Sequence, residues 1–565
     1  MTAGIAVPKS ENAVMTMTDS KLHIAFIIIV YVCCYGVFSL VNIPLWDDWV
    51  LIGHKADGLW EMFSQLGRRE QYLLVLPFSF MAIPIAWATA NFVCWGIVAV
   101  SIYGLLRGVG WTAANAFWAA LLTAAFPLNQ ARFALAVLPY SVSATFFALA
   151  LLLLVTSIDR GNFWFRILAA PLLLLSFTTN SFLTLSPLAI VVVFLALRKH
   201  EQQTGFWRAA LRTTTYAELF ALPFLYWIAK TSLQPAYGIY AKYNQFQMNP
   251  LSGLLEAIWA LPLQLAGLRF IFPNADFLME ASCIAVICTG FIILCGGLMR
   301  VNFKTARKTA LAASMNAIAL LGMAILAFFP YVMVGLHPSF AGLWESRHQT
   351  TLAVIAGTIA FSVLNAILPA RIVPACCALL ICIFMAMDIS VSRQLMADVI
   401  DSSALIYAPQ VAAIPENTLV AVHADNKTYR MMGRTLRFYE LSAMLNMHAP
   451  EHKIMAMLAS EAVGTGTHST APLGTDTLAA GISAKCATWV HHPEYGFGEI
   501  GEHDQFAELW LTPKLQPPSY WEGLKTTIGL LFKWRAAIDK AVARLDVQIR
   551  IHPDVTAGCA RQTGD

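Results

Sequence analysis

Long apolar runs separated by short polar breaks dominate the first 390 or so residues. Runs long enough to span a bilayer lie at about 22–44, 84–106, 112–128, 133–156, 163–178, 181–198, 214–231, 277–299, 309–333, 349–369 and 372–391. About 20 helical residues cross a hydrocarbon core of roughly 30 Å, so each run predicts a spanning helix. The stretch from Tyr72 to Leu105 is long enough to be divided two ways. Lys and Arg gather in short loops on the cytoplasmic side, which settles the division. Counting one span there puts Lys21, Arg107, Arg160, Arg166, the basic run 198–212, the run 300–308 and Arg371 all on one side. Leu73–Pro84 is then a re-entrant or interfacial lead-in, broken by Pro77 and Pro84.

The pattern changes near residue 394. The tail 395–565 holds 18 of the 33 acidic residues in under a third of the length, and its size suits one small α/β domain. Thr418–His423 reads as a buried strand, Tyr429–Asn446 as a helix and Thr526–Val547 as a basic amphipathic helix. The expected fold is therefore a polytopic α-helical membrane protein with about eleven transmembrane helices over 1–394, followed by an extracytoplasmic α/β domain over 395–565. The N-terminus is expected inside and the loop 44–71 outside.

Composition agrees. The chain is 58% hydrophobic and 12% charged, with a mean hydropathy of +0.62; soluble domains carry roughly 25% charged residues. A net charge of +4 makes no case for nucleic acid. Nine of the 11 cysteines lie in apolar runs without metal-ligand spacing. Cys486 and Cys559, both in the tail, are the remaining two. The first apolar run is too long for a signal-peptide core and reads as a retained span.

The candidate chemistry starts at Asn42-Ile43-Pro44-Leu45-Trp46-Asp47-Asp48-Trp49, directly after the first span. Tryptophan suits the headgroup region. Adjacent carboxylates repel unless they share a proton or bind a cation. Beyond them, Leu59, Met62, Phe63 and Leu66 fall at helical spacing, with Asp57 as a cap and Gly67 as a stop. Such a helix would lie on the membrane surface and fold the loop back over the two aspartates. Cations on the inferred outer side break the positive-inside tendency: Arg68, Arg69, Arg132, Lys230, Lys242, Arg269 and Arg347. They suit an anion whose other end is lipid, such as a polyprenyl phosphate. Arg347 opens a span within Trp344-Glu345-Ser346-Arg347-His348, and Arg132 ends the turn Pro127–Arg132. The loop Gln234–Asp276 adds Tyr237, Tyr240 and Lys242. His337 and His348 have no third ligand at metal spacing, which speaks against zinc. Two carboxylates are compatible with a divalent cation without implying one.

A first outer loop with tandem acids, an interfacial helix, about eleven spans and an outer C-terminal domain together resemble the GT-C superfamily of membrane glycosyltransferases. Trp46-Asp47-Asp48-Trp49 carries the likeness and Ser346-Arg347-His348 extends it; the tail around Arg430, Arg437 and Tyr439-Glu440 is similar to outer domains of bacterial members. The resemblance implies an inverting enzyme of the bacterial inner membrane, with its C-terminal domain in the periplasm. It would move a sugar from a polyprenyl-phosphate donor to a hydroxyl on a glycan or lipid-linked acceptor of the cell envelope. Asp47 or Asp48 would be the general base, with Asp47 favoured, and Glu70 a further acidic participant. Trp46, Trp49, Arg68, Arg69, Arg132, Tyr237, Lys242, His337, Glu345, Arg347 and His348 would hold substrate. A lipid-linked glycan flippase, an O-antigen polymerase or ligase and a non-catalytic scaffold are the alternatives.

Overall fold

The computed structural model describes residues 17–53, 56–127, 129–200, 206–241, 249, 251–256, 258–259, 275–298, 310–336, 345–424, 430–431, 434–447, 454–462, 475–490, 505–514 and 518–555. Six helices among them are long and apolar enough to cross a membrane, which makes this a membrane protein: Ser20–Leu40, Pro84–Gly108, Leu135–Arg160, Ser181–His200, Ser346–Ile367 and Val373–Ala413. The shorter apolar helices Ala113–Ala125, Phe163–Ser176, Met279–Gly290 and Ala319–Met333 fall on four more of the expected runs.

Local chemistry sets many of the boundaries. Helix α1 (Met17–Tyr35) runs into a 3-10 turn, Gly36–Leu40, and leads to the acidic loop. That loop folds into three short helices, α2 (Asp48–Gly53), α3 (Ala56–Gln65) and α4 (Arg69–Met81). The lead-in expected to break at Pro77 is instead a helix that contains it, because the chain turns only at Ala82, in the left-handed region (φ 48°). Pro84 then begins α5 (Pro84–Gly108) at a position where its missing N–H costs nothing. Thr112 caps α6 (Ala113–Ala125) by accepting from Asn115 N. Helix α7 (Leu138–Arg160) stops at Gly161 (φ 61°), and Asn162 caps α8 (Phe163–Ser176).

Within the bundle, helices meet through small residues and backbone-directed hydrogen bonds. Gly357 of α9 (Thr350–Ile367) sits directly against the backbone of Thr123 in α6. Asn91 donates to Ala134 O at 3.0 Å and Trp95 Nε1 to Ser141 Oγ at 3.1 Å, so both α5 side chains satisfy polar atoms away from water. An apolar cavity of about 560 Å³ lies between α1, α5 and α7, lined by Ile27, Tyr31, Phe92, Gly96 and Leu152 among others.

Helix α10 (Val373–Ile406) is 34 residues long and runs on from its apolar stretch into the C-terminal domain. Arg393 fastens the junction, donating to Pro518 O and Glu280, each at 2.7 Å; Arg544 reaches Asp401 at 3.2 Å. The domain contains a four-stranded sheet in the order β4-β1-β5-β6. Strand β1 (Thr418–Ala424) pairs in parallel with β4 (Met455–Leu458) and β5 (Gln505–Pro513), while β6 (Leu545–His552) runs antiparallel to β5. Strands β2 (Arg430–Met431) and β3 (Arg434–Thr435) form a small hairpin. The strand expected at Thr418–His423 is present. The helix expected over Tyr429–Asn446 is shorter, because the hairpin occupies its first part and α11 spans only Phe438–Leu445. The long basic helix expected over Thr526–Val547 is instead two helices and part of a strand. Lys533 takes a left-handed backbone (φ 54°) between α12 (Tyr520–Leu531) and α13 (Arg535–Val542), and β6 begins at Leu545.

Candidate active site

The tandem aspartates end in different places because the chain turns sharply between them and α1. Trp46 has a left-handed backbone (φ 59°), and the Asp47 carbonyl accepts from Val50 N and Leu51 N as α2 begins. Asp48 turns into the protein. It is 1% exposed, and its Oδ1 accepts the Ala136 N–H at 3.0 Å just ahead of α7; Leu135 and Leu45 donate to the same carboxyl. It therefore caps a helix lead-in across space, where unpaired N–H groups favour an oxygen. Burial nevertheless pushes its carboxyl up to about 7, so it holds its proton in mildly acidic conditions and relieves the repulsion between neighbours.

Asp47 turns the other way, into a cavity of about 370 Å³. Arg68, Arg347, Gln71, Tyr140, Tyr240 and Tyr439 supply most of its polar lining, and Val50, Leu51, Met62, Phe63, Leu66 and Val75 much of its apolar wall. That volume suits a small polar ligand with one apolar end. Helix α3 forms part of the wall as its spacing predicts: Leu59, Met62 and Phe63 are buried and Gly67 (φ 64°) follows the helix. Gly67 also permits a close approach, since a Cβ there would collide with Gln234 O. The segment after Gln234 straps the helix pair: Tyr237 N donates to Gln65 O at 3.0 Å, and its hydroxyl reaches Glu61 at 3.0 Å. Tyr240 follows and enters the cavity. On the opposite side, Ser346 Oγ accepts from Ala131 N at 3.0 Å and Thr350 Oγ1 donates to Arg347 O at 2.7 Å, fixing the turn that carries Arg347.

Of the residues expected to form the site, Asp47, Arg68 and Arg347 line this cavity. Trp46 and Trp49 do not; they are 0% and 5% exposed, and the Trp46 ring packs 4.9 Å from Phe133. The headgroup role expected from their amphipathic rings gives way to core packing. Arg132 lies within the bundle, its guanidinium 3.7 Å from the Tyr35 ring centroid and 5.0 Å from that of Trp95, with Nε donating to Asn129 O. Arg69 lies over Trp60. Glu70 is engaged by Lys230 at 2.7 Å and by the Tyr226 hydroxyl at 3.2 Å. Tyr237 takes the strap role, and His348 is buried 5.1 Å from the Tyr331 ring. Lys242, Arg269, His337 and the side chain of Glu345 lie outside the described residues, as do Cys559 and the Cys486 side chain.

Gln71 and Tyr140 join the lining without having been singled out from the sequence, and Tyr439, noted only for the tail's likeness to outer domains, joins it too. Gln71, whose Nε2 donates to Thr178 O at 2.9 Å, was legible only as the end of the polar cluster Arg68-Arg69-Glu70-Gln71 ahead of an apolar run. Tyr439 arrives from the C-terminal domain, 392 residues from Asp47, and its hydroxyl donates to Asp47 Oδ1 at 2.7 Å. Among the described residues no group of three or more His, Cys, Asp or Glu side chains is arranged to hold a metal ion. No family model, curated protein or solved structure matches this chain.

A carboxylate, two guanidiniums and an amide around an apolar-walled space can accept a proton at one point and hold an anion at another. Those are the parts an acid–base group transfer from a phosphate leaving group requires.

Proposed function

We propose that the chain is a GT-C-type glycosyltransferase that moves a sugar from a polyprenyl-phosphate donor to an acceptor hydroxyl on a cell-envelope glycan. In this proposal about eleven helices span a bacterial inner membrane, with the cavity and the C-terminal domain on the extracytoplasmic side. The observation that carries it is the placing of Asp47, Arg68 and Arg347 on one apolar-walled cavity. Asp47 takes the proton of the acceptor hydroxyl as its oxygen bonds to the anomeric carbon. The bond from that carbon to the phosphate oxygen breaks, and its electron pair leaves with the lipid phosphate, held by the two arginines. Inversion at the anomeric carbon follows from attack opposite the leaving group.

The test is transfer from a panel of undecaprenyl-phosphate-linked hexoses and pentoses to envelope glycan by the reconstituted protein. Wild type transfers label, D47N loses at least about 100-fold in rate, and R347A raises the donor KM. Equal transfer by D47N and wild type would overturn the assignment of Asp47.

A lipid-linked glycan flippase is the second reading. Asp388, fully buried in α10 with the Arg132 charge as a neighbour, is the observation that favours it, since ionisable groups inside a bundle often mark a transport path. Under that reading D388N stops lipid translocation in proteoliposomes while D47N does not.

A further inference from the structure

Asp47 has two carboxylate oxygens, and useful proton transfer needs one of them held towards the acceptor. Its Oδ1 accepts the Tyr439 hydroxyl at 2.7 Å. That phenol is rigidly mounted. Tyr439 is 8% exposed although it lines the cavity, and it lies in the first turn of α11. The N3 half of a capping box secures this helix end, Glu440 accepting from Arg437 N at 2.6 Å. Ser442 then bolts the helix to β4: its hydroxyl donates to Phe438 O at 2.7 Å and accepts from Ala456 N at 2.9 Å. The chain thus runs from sheet to helix to phenol to carboxylate, all through short hydrogen bonds.

We propose that Tyr439 is a positioning residue supplied by the C-terminal domain: its hydroxyl holds Asp47 Oδ1 and so fixes how the carboxylate is presented to the cavity where the acceptor hydroxyl would sit. The inference rests on the glycosyl-transfer reading and gives the C-terminal domain a part in catalysis. A base held by a second, locked side chain keeps its geometry through the reaction, and a displacement of about 1 Å can cost about 100-fold in rate. Donor binding depends on the arginines across the cavity, so the effect falls on kcat rather than on the donor KM.

The experiment uses the full-length protein in nanodiscs and the undecaprenyl-phosphate sugar that wild type turns over. Y439F removes one oxygen and no packing volume, and S442A loosens the same helix while keeping the phenol. Y439F is expected to lose about 10- to 100-fold in kcat with its donor KM within about twofold of wild type; S442A, which keeps the phenol on a looser mount, is expected to lose less in kcat than Y439F, again with the donor KM within about twofold. Unchanged kcat in Y439F overturns the proposal, and so does an equal loss in S442A, which would place the effect in helix packing. A Y439F protein that elutes and unfolds unlike wild type is compared with Y439W, in which a larger indole replaces the phenol and its N–H donor lies elsewhere; full kcat in Y439W overturns the proposal. Failure of wild type to turn over any donor in the panel overturns the glycosyl-transfer reading itself, whereas an active wild type, inactive D47N and fully active Y439F overturns the Tyr439 role alone.

Discussion

Replacing Asp48 by Asn should flatten the pH dependence of stability. The wild-type carboxyl is buried and pushed up to about 7 from an ordinary 3.8. An acid with this offset binds its proton more tightly in the fold than in the unfolded chain. Its contribution is fully present below about pH 4 and is lost as pH rises through 7, so stability falls with pH. At 1.36 kcal/mol per unit the whole offset is worth about 4 kcal/mol. Integrating only between pH 5 and pH 8 gives a loss of about 2–3 kcal/mol. D48N is neutral throughout and keeps a carbonyl oxygen for the Ala136 N–H, so it lacks this component. Thermal unfolding of the purified protein in one detergent, at pH 5, 6, 7 and 8, measures both slopes. All other titrating groups are common to the two proteins, and the difference between the slopes isolates Asp48. Wild type should lose a few degrees more than D48N across that range. Parallel curves would refute the reasoning, because they would mean the Asp48 carboxyl ionises in the fold as readily as in the unfolded chain.

Further outcomes follow from the packing. Gly357→Ala places a Cβ inside contact distance of the Thr123 backbone, which cannot move aside like a side chain, so unfolding should show a loss of about 1–3 kcal/mol or more. Glu70→Gln leaves Lys230 without a charged partner while sparing the cavity lining. The unfolding temperature should therefore drop while kcat stays within about threefold of wild type. A kcat loss as deep as that of D47N would restore Glu70 as a participant in the chemistry.

The loop 44–71 was legible in the sequence where periodicity and stop signals agree. Leu59, Met62 and Phe63 do face the protein and Gly67 does turn the chain, because both effects depend on residues close in sequence. The placing of Arg347 by the same cavity as Asp47 followed from its position at the start of a helix. Direction was not legible. Nothing local says that Asp47 faces the cavity while Asp48 faces Ala136; the left-handed turn at Trp46 and the position of α7 decide it. The arginines show the same limit: Arg132 matches Arg347 in charge and setting, yet it packs on Tyr35 and Trp95. Tyr439 was marked only by the tail's likeness to outer domains, and nothing in the sequence tied it to Asp47, since that contact joins segments 392 residues apart. In the tail, the break at Lys533 lies inside a stretch of uniform amphipathic pattern, and pattern alone does not register a single left-handed residue.

Under the glycosyl-transfer proposal, lipid phosphate and acceptor meet in the cavity shared by Asp47, Arg68 and Arg347. Its most direct test is photo-crosslinking of wild type in nanodiscs with a short polyprenyl phosphate carrying a diazirine beside the phosphate, followed by peptide mapping. Adducts are expected on the cavity wall, within 62–75 and 136–140 or next to Arg347, and should compete away with unlabelled lipid phosphate and weaken in R347A. Labelling confined to the apolar cavity between α1, α5 and α7, unaffected by R347A, would contradict it.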